Sequence, residues 1–234
     1  NADRAAPVDQ SAAACTALIL SGTETDVNTG IALFNRANRD AEQGNYAQAV
    51  DDYAQALAKG FQDPVVFYGR GFAQNALGHF TDALSDYTTA IDRNPALADA
   101  LGNRGSVYQY GLHDYAHAIA DYGAAIALRD DAIFRANRAL AFLSGPRDLD
   151  SALADYNRAI ELTPDNADLH ISRGNVYYAQ SNYDAAVTDY QAALSLHPDY
   201  GLAYYNIGKA YVAQGHRQDA IAQWSEALRV NPDY

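Results

Sequence analysis

The sequence predicts an all-α solenoid built from repeated helical hairpins, and three observations support this. A small–aromatic–small triplet recurs with a period of about 34 residues from residue 30 onward. A second small residue precedes each triplet by about twelve residues, with turn residues between the two. Proline ends most units, at Pro95, Pro164, Pro198 and Pro232. The repeating unit is therefore helix, turn, helix and stop.

Each triplet has the spacing i, i+4, i+7, which places its members on one face of a helix. The six triplets are Ala49/Tyr53/Ala56, Ala83/Tyr87/Ala90, Ala118/Tyr122/Ala125, Ala152/Tyr156/Ala159, Ala186/Tyr190/Ala193 and Ala220/Trp224/Ala227. The preceding small residues are Ala37, Gly71, Gly105, Ala139, Gly174 and Gly208. Neither helix of such a hairpin can bury its apolar face alone, so successive hairpins are expected to stack.

In length, order and residue type these units resemble the tetratricopeptide repeat. The resemblance covers residues 30–63, 64–97, 98–131, 132–166, 167–200 and 201–234, and leaves residues 1–29 as a flexible tail and a capping helix. It implies a right-handed superhelix in which the first helix of each unit lines a concave groove. Two units depart from the pattern: the third has an extra residue near Leu112, and the fourth replaces the turn with Ser144-Gly145-Pro146-Arg147.

The charge balance limits the class of partner. The chain carries 29 acidic and 16 basic residues, a formal net charge of −13, and its only lysines are Lys59 and Lys209. Nucleic acid is not expected as a ligand, since its binding requires clustered basic residues. The acidic surplus serves either to solvate the surface or to attract a basic protein or peptide. No apolar run is long enough to predict a transmembrane helix.

The first residues, Asn1 to Pro7, are small and polar, and the sequence contains no methionine. Processing of a precursor would account for both features, and a trimmed chain is the alternative. We expect a periplasmic or secreted location, which the resemblance to bacterial repeat proteins favours, with a cytoplasmic location as the alternative. The single cysteine, Cys15, excludes an intramolecular disulfide.

An arginine and an aspartate recur together in five units. The arginine stands immediately before the small residue of the first helix, and the aspartate immediately before the aromatic residue of the second helix. The pairs are Arg36/Asp52, Arg70/Asp86, Arg104/Asp121, Arg138/Asp155 and Arg173/Asp189, and the sixth unit has Ile207 and Gln223 instead. Joint presence and joint absence predict an ion pair within each hairpin rather than a site for an anionic ligand.

The resemblance places ligand-binding residues on the inward face of the first helices, where asparagine recurs just before the arginine. An amide side chain can pair with a peptide backbone regardless of the peptide's sequence. The alternative is that these asparagines only contribute to helix packing. The candidate groove residues are Asn35, Asn38, Asn75, Asn103, Gln109, Asn137, Asn175, Tyr178, Tyr205, Asn206 and Lys209.

No pattern of catalytic or metal-binding residues is evident in the sequence. His113 and His117 have no third ligand at a suitable spacing. We therefore expect a non-catalytic adaptor for proteins, with no cofactor and no metal, that binds an extended segment in its groove. Two alternatives are an accessory subunit that docks through its ends or convex face, and a glycan- or peptidoglycan-handling protein.

The sixth unit differs from the others at its outer surface. It lacks the ion pair, and no polar capping helix follows it in the sequence. Terminal repeats normally carry a solvated outer face. We therefore predict that Ile207, Ile221, Trp224 and Leu228 form an interface with a second chain, unless residues beyond 234 cover them.

Overall fold

The computed structural model describes residues 8–22 and 24–232, and this part of the chain forms thirteen α-helices and one π-helical segment. The helices are α1 (Val8–Ser21), α2 (Asp26–Glu42), α3 (Tyr46–Ala58), α4 (Pro64–Ala76), α5 (Phe80–Arg93), α6 (Ala98–Ser106), α7 (Tyr115–Leu128), α8 (Ala132–Ser144), α9 (Leu149–Leu162), α10 (Ala167–Ala179), α11 (Tyr183–Leu196), α12 (Gly201–Gln214) and α13 (Arg217–Val230). The predicted tail, residues 1–7, lies outside the described residues. No helix in the described ranges has both the length and the apolar character needed to cross a bilayer.

The chain divides into two compact units, Asn1–Leu128 and Arg129–Tyr234, and each contains three helical hairpins. The hairpins are α2/α3, α4/α5 and α6/α7 in unit 1, and α8/α9, α10/α11 and α12/α13 in unit 2. The first hairpin begins at Asp26, before the predicted start at residue 30. The reason is a helix cap, because the Asn28 backbone N–H donates to Thr25 Oγ1 at 3.3 Å.

The core of each hairpin is the predicted triplet, packed against the small residue of the first helix. All the alanines of the triplets are buried, and so are the five tyrosines. The fit is close: a Cβ added at Gly174 would lie 2.6 Å from Tyr190 Cε1, and one at Gly208 would lie 2.3 Å from Trp224 Nε1. The small residues are therefore required by the aromatic rings that they face.

The turn inside each hairpin contains one residue with positive φ. Glycine occupies this position in three hairpins, at Gly44, Gly78 and Gly215, whereas His113, Arg147 and Ser181 occupy it in the other three. His113 thus has a backbone role in its turn, and its ring lies near that of Tyr115. The replaced turn of the fourth unit keeps this conformation through Arg147, with φ 57°.

The extra residue of the third unit is absorbed by a π-helical segment, Val107–Gly111, which continues α6. The Leu112 N–H donates to the Val107 carbonyl oxygen at 3.1 Å, one residue further back than in an α-helix. Such a bulge is the usual way for a helix to accommodate an inserted residue. The insertion therefore lengthens the first helix of this hairpin instead of its loop.

Helix α1 packs on the first hairpin, against α2. Ile19 joins the apolar cluster that contains Leu33 and Tyr53. Thr16 Oγ1 accepts a hydrogen bond from Arg36 Nη1 at 3.4 Å. Cys15 on the same helix is a partly buried free thiol. Helix α1 therefore covers an apolar surface of α2 that would otherwise be exposed.

Candidate functional site

The five predicted ion pairs form within their hairpins. In each pair the arginine Nε and Nη2 donate to the two carboxylate oxygens, at N–O distances of 2.6–2.8 Å, in Arg36–Asp52, Arg70–Asp86, Arg104–Asp121, Arg138–Asp155 and Arg173–Asp189. The aspartates are buried, and the hydrogen bond to each one raises the pKa of its arginine. These clamps fix the two helices of a hairpin in one register.

Several of these arginines also bond to the preceding helix, which the sequence pattern did not reveal. Nη1 of Arg104 donates to Thr88 Oγ1 at 3.0 Å, and Nη1 of Arg173 donates to Asn157 Oδ1 at 2.8 Å. Each acceptor stands one residue after the aromatic residue of the preceding hairpin. The arginine therefore joins neighbouring hairpins of a unit as well as the two helices of its own.

Buried tyrosines extend from the second helices towards the first helices. Tyr53 Oη donates to Asn38 Oδ1 at 2.6 Å, and Tyr190 Oη donates to Asn175 Oδ1 at 2.9 Å. Burial raises the pKa of both phenols well above the usual value. Both remain neutral hydrogen-bond donors, and each orients an asparagine on the surface formed by the first helices. We call that surface, α2, α4 and α6 in unit 1 and α8, α10 and α12 in unit 2, the first-helix face of each unit.

Most predicted groove residues reach the first-helix face with part of their surface exposed. Four are exposed, namely Asn35, Asn175, Tyr205 and Lys209. Five are half-buried, namely Asn38, Asn75, Asn103, Asn137 and Tyr178. Some amides also join neighbouring hairpins, because Asn103 Nδ2 donates to Tyr68 Oη at 3.1 Å. The asparagines therefore combine a packing role with an accessible position.

Two predicted groove residues are not accessible. Gln109 is buried, and its Oε1 accepts a hydrogen bond from Tyr122 Oη at 2.9 Å. Asn206 is also buried, and its Nδ2 donates to Asn175 Oδ1 at 3.3 Å. Each of these two side chains is thus held by a polar partner inside the protein, Tyr122 or Asn175, and is not exposed on the first-helix face.

Unit 1 contains an open pocket of about 710 Å³ between α2 and α4. Half of its lining residues are aromatic, and the sequence analysis named only Asn38 among them as a groove residue. The ten lining residues are Phe34, Asn38, Ala41, Glu42, Tyr46, Tyr53, Val65, Tyr68, Gly69 and Phe72. Gly69 stands where the neighbouring hairpins have Asn35 and Asn103, because Tyr53 leaves no room for a side chain there. A Cβ at Gly69 would lie 2.7 Å from Tyr53 Cζ and Oη.

Unit 2 has a cluster of a lysine and two tyrosines at the corresponding place. Lys209 Nζ lies 5.2 Å from the ring centroid of Tyr178 and 5.7 Å from that of Tyr205. The ring of Tyr178 also packs edge-on against that of Tyr183, at 5.3 Å between centroids. Lys209 is therefore held by cation–π contacts to α10 and α12.

The predicted end interface is only partly exposed. Ile221 and Leu228 are exposed on α13, at 57% and 49%. Trp224 is half-buried, and its Nε1 donates to the Tyr205 carbonyl oxygen at 3.1 Å. Ile207 is buried in the core of unit 2 and does not belong to the exposed surface of α13. It occupies the position of the recurring arginine, and its apolar side chain packs in the core instead of pairing with a carboxylate.

The histidines noted in the sequence have other contacts. The ring of His117 stacks on Tyr108 with centroids 5.0 Å apart, and its Nδ1 lies 2.6 Å from Asp114 Oδ2. The His117 backbone N–H also donates to Asp114 Oδ1. This backbone hydrogen bond, together with the side-chain contact, lowers the pKa of Asp114. Among the described residues, no group of three or more His, Cys, Asp or Glu side chains could hold a metal ion.

A chain of helical hairpins joined by repeated internal ion pairs belongs to the class of helical-repeat proteins. Comparison with known sequences narrows that class. Family models described as TPR repeat match residues 148–181 and 174–215, and one described as tetratricopeptide repeat matches residues 201–234. These matches together cover residues 148–234, and this part of the chain is built of tetratricopeptide repeats.

Known proteins with similar sequences match only part of this chain. It is 39% identical over 61 residues to the human small glutamine-rich tetratricopeptide repeat-containing protein beta, a match that covers 26% of this chain and 20% of that protein. It is 32% identical over 102 residues to the photosystem I assembly protein Ycf3 of Cyanophora paradoxa, covering 42% of this chain and 58% of that protein. The matched segments thus span less than two thirds of these relatives.

Solved structures match over a greater length. The C-terminal part of a TPR repeat-containing protein from Cytophaga hutchinsonii aligns with a TM-score of 0.79 at 19% identity, covering 97% of this chain and 92% of that one. YrrB, described as a TPR protein with an unusual peptide-binding site, aligns with a TM-score of 0.68 at 19% identity, covering 78% and 93%. The predicted fold class, an all-α tetratricopeptide solenoid, is confirmed.

Proposed function

We propose that this protein is a non-catalytic adaptor that binds an extended segment of a partner protein along the first-helix face. The observation that carries the proposal is the open pocket of about 710 Å³, built by three helices of two adjacent hairpins. Tetratricopeptide repeats generally serve as interaction scaffolds, and YrrB is described as binding a peptide. A pocket formed between hairpins suits a side chain that projects from an extended segment.

The polar groups of the same face favour a peptide backbone as the ligand. Asn35 and Asn175 are exposed, and an amide group offers a donor and an acceptor to a peptide bond. The tyrosine hydroxyl that bonds Asn175 fixes the orientation of that amide before a ligand arrives. Such preorganisation reduces the entropy lost on binding.

In this proposal any chemistry belongs to the partner. The recurring charged pairs are committed to holding the hairpins together, so they do not provide an acid and a base for catalysis. The alternative of glycan binding is tested directly, because titration with peptidoglycan fragments in a calorimeter should give no heat of binding. Saturable heat would favour glycan handling over protein binding.

A second mode of binding is favoured by the exposed side chains of α13. Ile221 and Leu228 stand seven positions apart and therefore lie on the same side of this helix. Both are exposed, and they could dock the protein on a second chain. This mode would make the protein an accessory subunit, and it does not exclude use of the first-helix face.

Site-specific photo-crosslinking distinguishes the two modes. A photoreactive phenylalanine derivative is introduced singly at Phe72 or Tyr205 on the first-helix face, at Leu228 on α13, or at Asp51, an exposed position of α3. Each variant is irradiated in an extract of the source cells, and the crosslinked partner segment is identified and synthesised. Crosslinks at Phe72 or Tyr205 support the proposal. Crosslinks from Leu228 alone would replace it with the accessory-subunit mode.

The partner segment obtained in this way allows a quantitative test. Asn35→Ala should weaken its binding several-fold without changing the melting temperature, because the side chain is exposed. Unchanged affinity would show that this asparagine has no role in recognition.

Export to the periplasm also stays a proposal, and fractionation of the source cells, with detection of the protein in each compartment, would test it.

A further inference from the structure

The pocket of unit 1 and the lysine cluster of unit 2 occupy equivalent positions in their hairpins, counted from the recurring arginines Arg36 and Arg173. Six of the ten lining positions of the unit 1 pocket carry a different residue type in unit 2, and one of these changes replaces Glu42 by Ala179. Three more of the six bear on the comparison with the lysine cluster. Ala41 in unit 1 corresponds to Tyr178 in unit 2, Gly69 to Asn206, and Phe72 to Lys209. Tyr68 and Tyr205 correspond to each other and keep the same residue type. The same position on the first-helix face therefore occurs in both units, lined by different side chains.

In unit 2 a cation from the chain itself fills this place. The Lys209 ammonium lies within 6 Å of two tyrosine rings, a distance at which cation–π attraction is significant. The ring of Tyr178 stands at the position where unit 1 has only the methyl group of Ala41. At this position of unit 2, the aromatic rings of Tyr178 and Tyr205 thus stabilise a positive charge, that of Lys209.

In unit 1 the rings are present, but none of the ten lining residues is basic. Phe72, at the position of the lysine, is 41% exposed and packs edge-on against Tyr46, with centroids 6.2 Å apart. Glu42 lies at the pocket, where its charge contributes to raising the pKa of Tyr53, after burial. The pocket therefore combines aromatic faces with a carboxylate, which is the complement of a cationic group.

We propose that the pocket between α2 and α4 binds an arginine or lysine side chain from a basic segment of the partner protein. The proposal rests on the proposed function, because that cation would project from the segment bound along the first-helix face. The formal net charge of −13 favours the approach of a basic segment. The pocket then provides the specificity that net charge alone lacks, because it must enclose the cation between rings.

The probe is a fluorescein-labelled hexa-arginine peptide, compared by fluorescence anisotropy with a hexa-citrulline peptide, which has nearly the same shape but no charge. Measurements at about 0.15 M salt reduce long-range attraction. The unaltered protein should bind hexa-arginine more tightly than hexa-citrulline. Glu42→Gln should weaken this binding at least fivefold, whereas Asp51→Asn, an equal change of charge at an exposed position of α3, should alter it less than twofold.

Phe72→Lys gives a second and independent arm. It places in unit 1 the residue that unit 2 already has, so the new ammonium should occupy the pocket and lower hexa-arginine affinity at least fivefold. Leu112→Lys, at an exposed turn residue outside the pocket, is the control with the same change of charge. The helical circular dichroism and melting temperature of each variant verify that the fold is retained.

The outcomes separate this proposal from the function on which it rests. Equal effects of Glu42→Gln and Asp51→Asn, or equal binding of the two peptides, would overturn the cation pocket. If the crosslinked partner segment still bound at the first-helix face with affinity unchanged by Glu42→Gln and Phe72→Lys, the adaptor function would stand and the cation pocket would fall. A partner segment that crosslinked only from Leu228 would remove both.

Discussion

Replacing Arg70 by alanine should destabilise the protein more than an ordinary surface change, because it leaves the Asp86 carboxylate buried without its counter-ion. The side chains are 23% and 6% exposed, and both N–O distances are 2.7 Å. Removing one partner of a fully buried pair costs about 3–5 kcal/mol. Since water reaches Arg70 in part, we expect a loss of about 2–4 kcal/mol for Arg70→Ala.

The double variant Arg70→Ala/Asp86→Ala should lose less stability than the two single variants combined. With neither charge present, no unpaired group is left buried, and the coupling energy should be about 1–3 kcal/mol. This pair suits the test because three of the other arginines also bond a residue outside their own pair, namely Arg36 to Thr16, Arg104 to Thr88 and Arg173 to Asn157. The measurement is urea unfolding followed by circular dichroism, with a check that the denaturant slope stays constant.

The matched control is the pair Arg229–Glu226 on α13. Its N–O distance, 2.7 Å, is the same, but its side chains are 64% and 44% exposed. Exposed pairs of this kind contribute little to stability because water screens their charges. A coupling energy at Arg70–Asp86 no larger than that of the control would refute the reasoning, because burial would then have no effect on the ion pair.

Two further predictions concern the buried rings. Gly208→Ala should cost about 1–3 kcal/mol, because the new Cβ would lie 2.3 Å from Trp224 Nε1, whereas Gly71→Ala, whose nearest contact is 3.1 Å, should cost less; equal losses in thermal melting would contradict the packing argument. Burial raises the pKa of four tyrosines, so their neutral form is favoured in the folded state. The contribution of these neutral phenols to the free energy of unfolding is complete below the unfolded-state pKa of about 10, and it declines as the pH rises above that value. Absorbance at 295 nm should therefore show these phenols ionising together with alkaline unfolding. Ionisation of these four tyrosines near pH 10 while the protein is still folded would contradict this prediction.

The fold and the ion pairs were predictable because they repeat. Six copies of one triplet determine the helix faces, and a pair present in five units but absent from the sixth indicates contact between its members. The insertion near Leu112 was predicted as well, but its structural form was not. Whether an inserted residue lengthens a loop or a helix depends on backbone hydrogen bonds that leave no trace in the residue pattern.

The candidate site was less predictable, because its two main features arise from size and burial. Ala41 leaves room at the pocket because it lacks a large side chain, and a small residue carries no sequence signal of an opening. Gln109 has the polarity of a groove residue, yet the hydroxyl of Tyr122 draws it inward. A sequence shows that an amide is present, but not which buried donor or acceptor it satisfies.

The regular clamps explain how so few substitutions can change the binding chemistry. An arginine–aspartate pair holds each of the first five hairpins in one register, so corresponding positions in different hairpins face the same surroundings. Against that constant background, exchanging Phe72 for the lysine seen at 209 changes an open aromatic pocket into one already filled by a cation. The clamps do not involve Ala41 or Phe72, so the residue types at these two positions can change without breaking an ion pair. In our proposal the identity of the bound side chain is set by the few residues that line the pocket, while the fold is set by the repeat.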